Sequence, residues 1–269
     1  MNKGIQITKI VIAVIIIIVS ISFIFSYFNK NDNDNYIGMK VVRDDVISEN
    51  IDSIDLEWPS GKVDILKSND NNIRIIEKST GKSTKSNINV SNNKLSITYK
   101  LSSGLIIFNT RNKSYLEIYL PEKEYNELAF DFTSGNYNIS DLKTKKLDLE
   151  ITSGKVDFKN VSTNILDIDA TSGKIDFNGS SSDIKLDMTS GRVNVETSIM
   201  PKALDIEITS GSANVRLPEN NGFEVELEKI SGQFNSDFEL SQSGNKHIYK
   251  NGESKFKVDV SSGKVNILK

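Results

Sequence analysis

Cysteine is absent from this 269-residue chain, and histidine occurs once, at His247. The first absence removes disulfides, thiolate chemistry and a lipoprotein acylation site. The second leaves no partner histidine for a triad or a histidine-built metal centre. Proline is scarce, at four residues, and no long glycine or proline tract occurs, which argues against a disordered stalk. Basic excess is missing too: 33 Lys and Arg against 36 Asp and Glu give a net charge of −3, with none of the basic striping that phosphate binding requires. Nucleic acid is not an expected partner.

One long apolar run is present, at 10–28, interrupted only by Ser20, Ser22 and Ser26. As a helix it spans about 29 Å, the thickness of a bilayer core. Lys3 and Lys9 precede it without an acid, whereas Lys30, Asp32 and Asp34 follow. The positive-inside rule then predicts a cytoplasmic tail (1–9), a single-pass anchor (10–28) and a linker (29–49), with everything beyond on the extracytoplasmic side of the cell membrane. A cleaved signal peptide is the alternative, but its apolar region is shorter and ends in a small-x-small site that Phe23 to Phe28 does not offer.

What dominates the rest is a Ser-Gly pair recurring eight times, at Gly61, Gly135, Gly154, Gly173, Gly191, Gly211, Gly232 and Gly263, with central intervals of 19, 19, 18, 20 and 21 residues. Five residues before each glycine stands Leu56, Phe130, Leu149, Ile168, Leu186, Ile206, Leu227 or Val258; one step nearer the turn stands an acid in every copy, from Glu57 and Asp131 to Asp259. Two residues after it the position is again apolar (Val63, Tyr137, Val156, Ile175, Val193, Ala213, Phe234, Val265), and three after it is Asp or Asn. Alternation with period two marks half-buried strands on both sides of a Thr-Ser-Gly bend. A unit this short cannot bury its own apolar face, so neighbours must stack. The expected fold is all-β, a single-stranded β-solenoid of about 19-residue coils. A hairpin array is disfavoured because the bend is not the Asn-Gly or Asp-Gly of tight hairpins.

The 74 residues between Gly61 and Gly135 carry alternating runs at 73–77, 88–91, 95–101 and 115–120. They are expected to form a meander in an N-terminal capping region (50–127) that includes the first repeat. The regular solenoid follows (128–238). The last segment (239–269) is expected to hold a hairpin at Asn251-Gly252, closing the far end, and the final repeat. Lys229, where other copies carry Trp58, Phe132, Ile151 or Met188, signals either a fraying coil or a bulge in which Ile230 takes the inward place.

The Thr-Ser-Gly-Lys-Val-Asp repeats, the N-terminal anchor, the stretch LEIYLPE at 116–122 and the final Ser-Ser-Gly-Lys-Val-Asn-Ile resemble the bacterial "putative adhesin" family, which includes LiaG-like membrane proteins. The likeness spans roughly 50–269. It implies a β-solenoid on the outer side of the membrane, often linked with envelope-stress systems, and it brings no activity or ligand.

Candidate chemistry is sparse. The acidic column, reinforced by Asp55, Asp148, Asp167, Asp205 and Glu226, reads as a solvated face balanced by Lys62, Lys155, Lys174, Arg192 and Lys264; cation binding along it is the functional alternative. The Asp/Asn column suits ladder hydrogen bonding. Thr133, Thr152, Thr171, Thr189 and Thr209 read as a hydrogen-bonded corner. A carboxylate pair for polysaccharide cleavage would have to come from Asp141, Asp183 or Asp237. No catalytic, cofactor-binding or metal residue is assigned, and no cofactor is expected. The expected function is non-enzymatic: an envelope-binding, adhesin-like protein whose partner is an envelope protein or wall polymer. The alternatives are an accessory role in an envelope-stress circuit through a membrane partner and, less favoured, a carbohydrate-active enzyme.

Overall fold

Residues 38–80, 86–99 and 113–269 are described by a computed structural model; the expected anchor at 10–28 lies outside them. Among the described residues no helix is long and apolar enough to cross a membrane.

Alternation in the sequence becomes parallel stacking. Leu147 to Ile151 lies in register on Leu166 to Ala170, and Asn136 to Ser140 on Lys155 to Lys159. The next coil continues the pattern, Ile165 to Ala170 on Asp183 to Met188. Each coil therefore has a leading strand before the Ser-Gly bend and a trailing strand after it, about 4.8 Å above the last coil. The ladder does not break at the bend: Thr152 N–H donates to the Phe132 carbonyl (3.0 Å), Ser153 to Thr133 (2.8 Å) and Lys174 to Gly154 (2.9 Å). This places the threonines in a hydrogen-bonded corner. Gly154 sits at φ +113, and a Cβ there would lie 2.5 Å from the Gly135 carbonyl oxygen below it, so stacking and the positive φ both demand glycine.

A second corner closes the coil. Asp141 and Asn160 take φ of 58 and 53, and the Asn160 Nδ2 donates to Asp141 Oδ1 at 2.7 Å. Beyond it a short third ladder pairs 142–144 with 161–163, and 161–163 with 179–181. The following coil lacks the extra residue: Asn178 pairs with Lys159 and Gly179 with Val161, leaving Asn160 as a bulge. That deletion is the physical content of the single 18-residue interval. Buried hydroxyls tie this corner down, Thr144, Thr163, Ser181 and Thr197 each donating to the carbonyl two residues ahead at 2.8–2.9 Å. The interior between the ladders is filled by the apolar columns; Leu149, Ile168, Val156 and Phe158 are fully buried, each contributing roughly 1.5–3 kcal/mol of transfer free energy.

Spatial order departs from chain order at both ends. The strand Lys94–Thr98 stacks parallel on the leading half of Ser53–Lys67, and Ser114–Leu120 on its trailing half. Together they lie on the outer side of the first repeat, which is thus held between 94–98 with 115–120 on one side and 127–139 on the other. Antiparallel strands finish this end: Asn87–Ser91 on Lys94–Thr98, and Ile73–Ser79 then Lys40–Ile47 beyond Ser114–Leu120. Glu77, 1% exposed, anchors the cap by accepting from both the backbone and the hydroxyl of Ser86 (3.0 and 2.8 Å).

At the far end the final repeat is inserted. Ser254–Val260 pairs on one side with Ala203–Ile208 and on the other with Gly222–Lys229. Lys264–Leu268 likewise lies between Ser212–Arg216 and Gln233–Ser236. The outermost coil is therefore 222–236, not the final repeat. The strands on either side of Asn251-Gly252 do not form the expected hairpin with each other: Lys246–Lys250 pairs antiparallel with Gly222–Lys229 on the edge opposite Ser254–Val260, and Ser241–Ser243 adds beyond it. The side chains explain the order. Phe256, Val258, Val260, Val265 and Ile267 are 0–3% exposed, a full inward set fit for cover on both sides. The 222–236 repeat carries Lys229, tolerable only where one side stays open. Lys229 keeps register with Val260, and Ile230 is 87% exposed; no bulge substitutes one for the other.

Candidate binding face

Two outward surfaces flank the Ser-Gly bend, and they differ in charge. On the leading strands Glu150, Asp169, Asp187, Glu207, Asp259 and Glu228 follow one another in register. Burial, then the neighbouring Asp187, holds the Asp169 carboxyl above its usual range. The neighbouring column supplies lysines, Lys185 3.6 Å from Asp167 within it and Lys257 2.6 Å from Asp259 of the acidic column. Among the described residues no grouping of three or more acids or histidines is arranged to hold a metal ion.

The lysines past the bend do not serve that acidic column. Residues i and i+2 of a strand share a face, so Lys62 pairs with Asp64 (2.7 Å), Lys155 with Asp157 (3.7 Å) and Lys174 with Asp176 (2.7 Å) along their own trailing strands. The trailing face thereby gains its own chemistry. From Asp176 outward its central column is a continuous ladder: Asn194 Nδ2 donates to Asp176 Oδ1 (2.6 Å), Asn214 to Asn194 (2.7 Å), Asn266 to Asn214 (2.6 Å) and Asn235 to Asn266 (2.9 Å). At the other end Asn138 donates to Asp64 Oδ1 (2.7 Å) and the Tyr115 hydroxyl to Oδ2 (2.5 Å). Burial acts to raise the Asp64 and Asp176 carboxyls, but the hydrogen bonds from Asn138, Lys62 and Tyr115, and from Lys174 and Asn194, outweigh it and leave both below the usual range. Burial, with the Asp64 hydrogen bond behind it, pushes the Tyr115 hydroxyl up.

An open groove of about 670 Å³ runs across this face over four successive coils, its middle lined by Asp157, Asp176, Asn194 and Asn214 and its outer side by Lys159, Asn178, Glu196 and Arg216. The sequence suggested the ladder but not the groove.

The remaining sequence candidates are scattered. Asp141 takes its hydrogen bond at the second corner, Asp183 stands in register with Ile165 and Ala203, and Asp237 accepts the Lys269 N–H at 3.3 Å; the three occupy different columns. His247 lies in the cap opposite Val225, its ring 5.7 Å from Phe234, and burial followed by Lys229 lowers its pKa.

Comparison with known proteins agrees with this architecture. The profile of the family described as Toastrack DUF4097 matches residues 51–268. A solved structure described as a "putative adhesin" from Bacteroides fragilis NCTC 9343 is 13% identical, covering 85% of this chain and 96% of its own, with a TM-score of 0.50. A "putative cell adhesion protein" from Clostridium sporogenes ATCC 15579 is 18% identical over 85% of this chain and 99% of its own, at a TM-score of 0.44. At such identities the Bacteroides likeness speaks for the fold alone. No curated protein matches the chain.

Proposed function

The chain belongs to the Toastrack DUF4097 family, and from that footing we propose that it is a non-enzymatic binding protein, held by the 10–28 segment at the cell membrane with its stack on the extracytoplasmic side. The observation that carries the binding reading is the trailing face: an open groove spanning four coils and lined by Phe158, Phe177 and Val195 as well as by polar side chains, its amide column locked in place by ladder hydrogen bonds. A surface already ordered in this way loses little conformational entropy on binding. The adhesin description of the Bacteroides neighbour fits the same role. The membrane reading is supported by the length of the apolar run and the lysines that precede it.

Two measurements test this. Full-length protein in non-ionic detergent should co-sediment with purified cell-envelope material, and charge reversal at Arg216 together with Asn214→Asp should reduce the pelleted fraction; equal pelleting would overturn the assignment of the face. Because the chain has no cysteine, a Ser243→Cys variant in intact cells reports topology without background. Labelling by a membrane-impermeant maleimide is expected, and labelling only after lysis would refute the extracytoplasmic placement.

A further inference from the structure

The trailing face is two surfaces in one, and the difference follows from a single substitution pattern. In the coils 62–67, 155–159 and 174–178 the central residue is aspartate, and each carboxylate neutralises the lysine two residues before it. From the Arg192–Thr197 strand onward the central residue is asparagine. The cations remain, yet their same-strand counterion is gone: Arg192 precedes Asn194, and Lys264 precedes Asn266. Arg192, Lys264 and Arg216 are all exposed, and among the described residues none has a carboxylate within ion-pair distance. Two acids remain on this half: Glu196, in register with Arg216 but outside ion-pair distance and bonded by the Asn178 amide (3.2 Å), and Asp237, which accepts the Lys269 N–H (3.3 Å). The asparagine column runs unbroken through Asn194, Asn214, Asn266 and Asn235, and insertion of the final repeat sets Lys264 beside Ser212, on the strand that carries Arg216.

We propose that this half of the face, built by Arg192, Asn194, Asn214, Arg216, Lys264 and Asn266, is a docking site for a linear anionic glycan, an inference that rests on the binding role proposed above. A ladder amide spends one N–H on its neighbour and keeps a second N–H outward, with spare acceptor capacity on its oxygen. Repeated at about 4.8 Å, these groups offer donors and acceptors to the hydroxyls of an extended sugar chain. Arg192 and Arg216 supply forked donors matched to carboxylates or phosphates, on either side of the amide column. A protein partner is disfavoured because interface hot spots are aromatic and desolvated, and this half presents no outward aromatic. Nucleic acid would need far denser positive charge than three separate cations.

Binding is measured by calorimetry on the full-length chain in non-ionic detergent, using three probes: oligogalacturonate, a neutral cello-oligosaccharide of the same length, and inorganic phosphate. Oligogalacturonate should bind, weakening as salt rises, with the neutral sugar at least about tenfold weaker, a gap of ~1.4 kcal/mol. Arg192→Gln with Arg216→Gln should weaken oligogalacturonate by tenfold or more, whereas Lys155→Gln with Lys174→Gln should change it less than threefold. Thermal melts confirm that both pairs remain folded. Equal loss in the two pairs, no loss in the arginine pair, or phosphate binding as tightly as the oligosaccharide would each overturn the proposal. Failure of oligogalacturonate to bind while the chain still pellets with envelope material refutes this ligand class and leaves the binding role standing; failure of both removes the role as well.

Discussion

The position of the final repeat has a direct chemical test, since the chain contains no cysteine to confuse it. Asn266 contacts Asn214 on one side and Asn235 on the other, at 2.6 and 2.9 Å between side-chain atoms. Residues one coil apart are separated by about 4.8 Å and residues two coils apart by about 9.6 Å. A disulfide requires Cα atoms within roughly 4.4–6.8 Å. Asn214→Cys with Asn266→Cys, and Asn235→Cys with Asn266→Cys, should therefore oxidise to intramolecular crosslinks, while Asn214→Cys with Asn235→Cys should keep two free thiols. Thiol counting by mass spectrometry after mild oxidation, with mobility on a non-reducing gel, reads the result. Had the repeats stacked in chain order, 214 and 235 would be neighbours and 266 would stand outside both. Efficient crosslinking of 214 to 235 with none between 214 and 266 would refute the inserted coil.

Gly154→Ala combines an unfavourable φ of +113 with a Cβ 2.5 Å from the Gly135 carbonyl; strain and overpacking together predict a loss of roughly 2–6 kcal/mol. Gly244→Ala, at φ +62 with nothing within 4 Å, should cost only about 1–2 kcal/mol, so thermal melts must rank the two in that order. Asp169→Asn probes the acidic column. Burial and Asp187 raise the folded-state pKa of Asp169, so its favourable contribution exists below the unfolded value and is lost as pH rises through the folded one. The variant should melt higher than the parent at pH 7, by an amount set by at most about 1 kcal/mol of charge repulsion that salt screens, and should show no gain at pH 3; a gain at pH 3 as large as at pH 7 would contradict the assignment. Asp64 and Asp176 have the opposite sign: their lowered pKa values stabilise the fold above the unfolded carboxylate range and cease to do so as pH falls through the folded values. Asp176→Asn should consequently lower the melting temperature at pH 7, by an amount that shrinks as pH falls below the unfolded carboxylate range.

The strands, the bend and the facing of each column were legible in the residues because they are local. Period-two alternation sets which side of a strand is buried, and a glycine with neighbours stacked above and below is demanded by the bend itself. The ladder role of the Asp/Asn column was legible for the same reason. The counterions were misread because charges were matched by proximity to the bend, whereas strand geometry pairs Lys174 with Asp176 on its own face. Lys229 held a signal that could have been followed further, since a charged residue at an inward position belongs to a coil with an open side. The Thr144, Thr163, Ser181 and Thr197 corner was also present at near-constant spacing, masked by its polar character.

Coil order was a different kind of question. Every repeat offers nearly the same apolar columns to its neighbours, so local preference cannot say which copy lies on which, and the sequence by itself determined the coil without determining the order. Only the tertiary structure decided that, because order depends on which coils can be covered on both sides. The repeat with five fully apolar inward positions is sandwiched, and the one carrying Lys229 is left at the edge. The column is asparagine in either order; what that choice decides is which amides touch, Asn266 lying between Asn214 and Asn235, and that Lys264 stands beside Ser212 inside the stack.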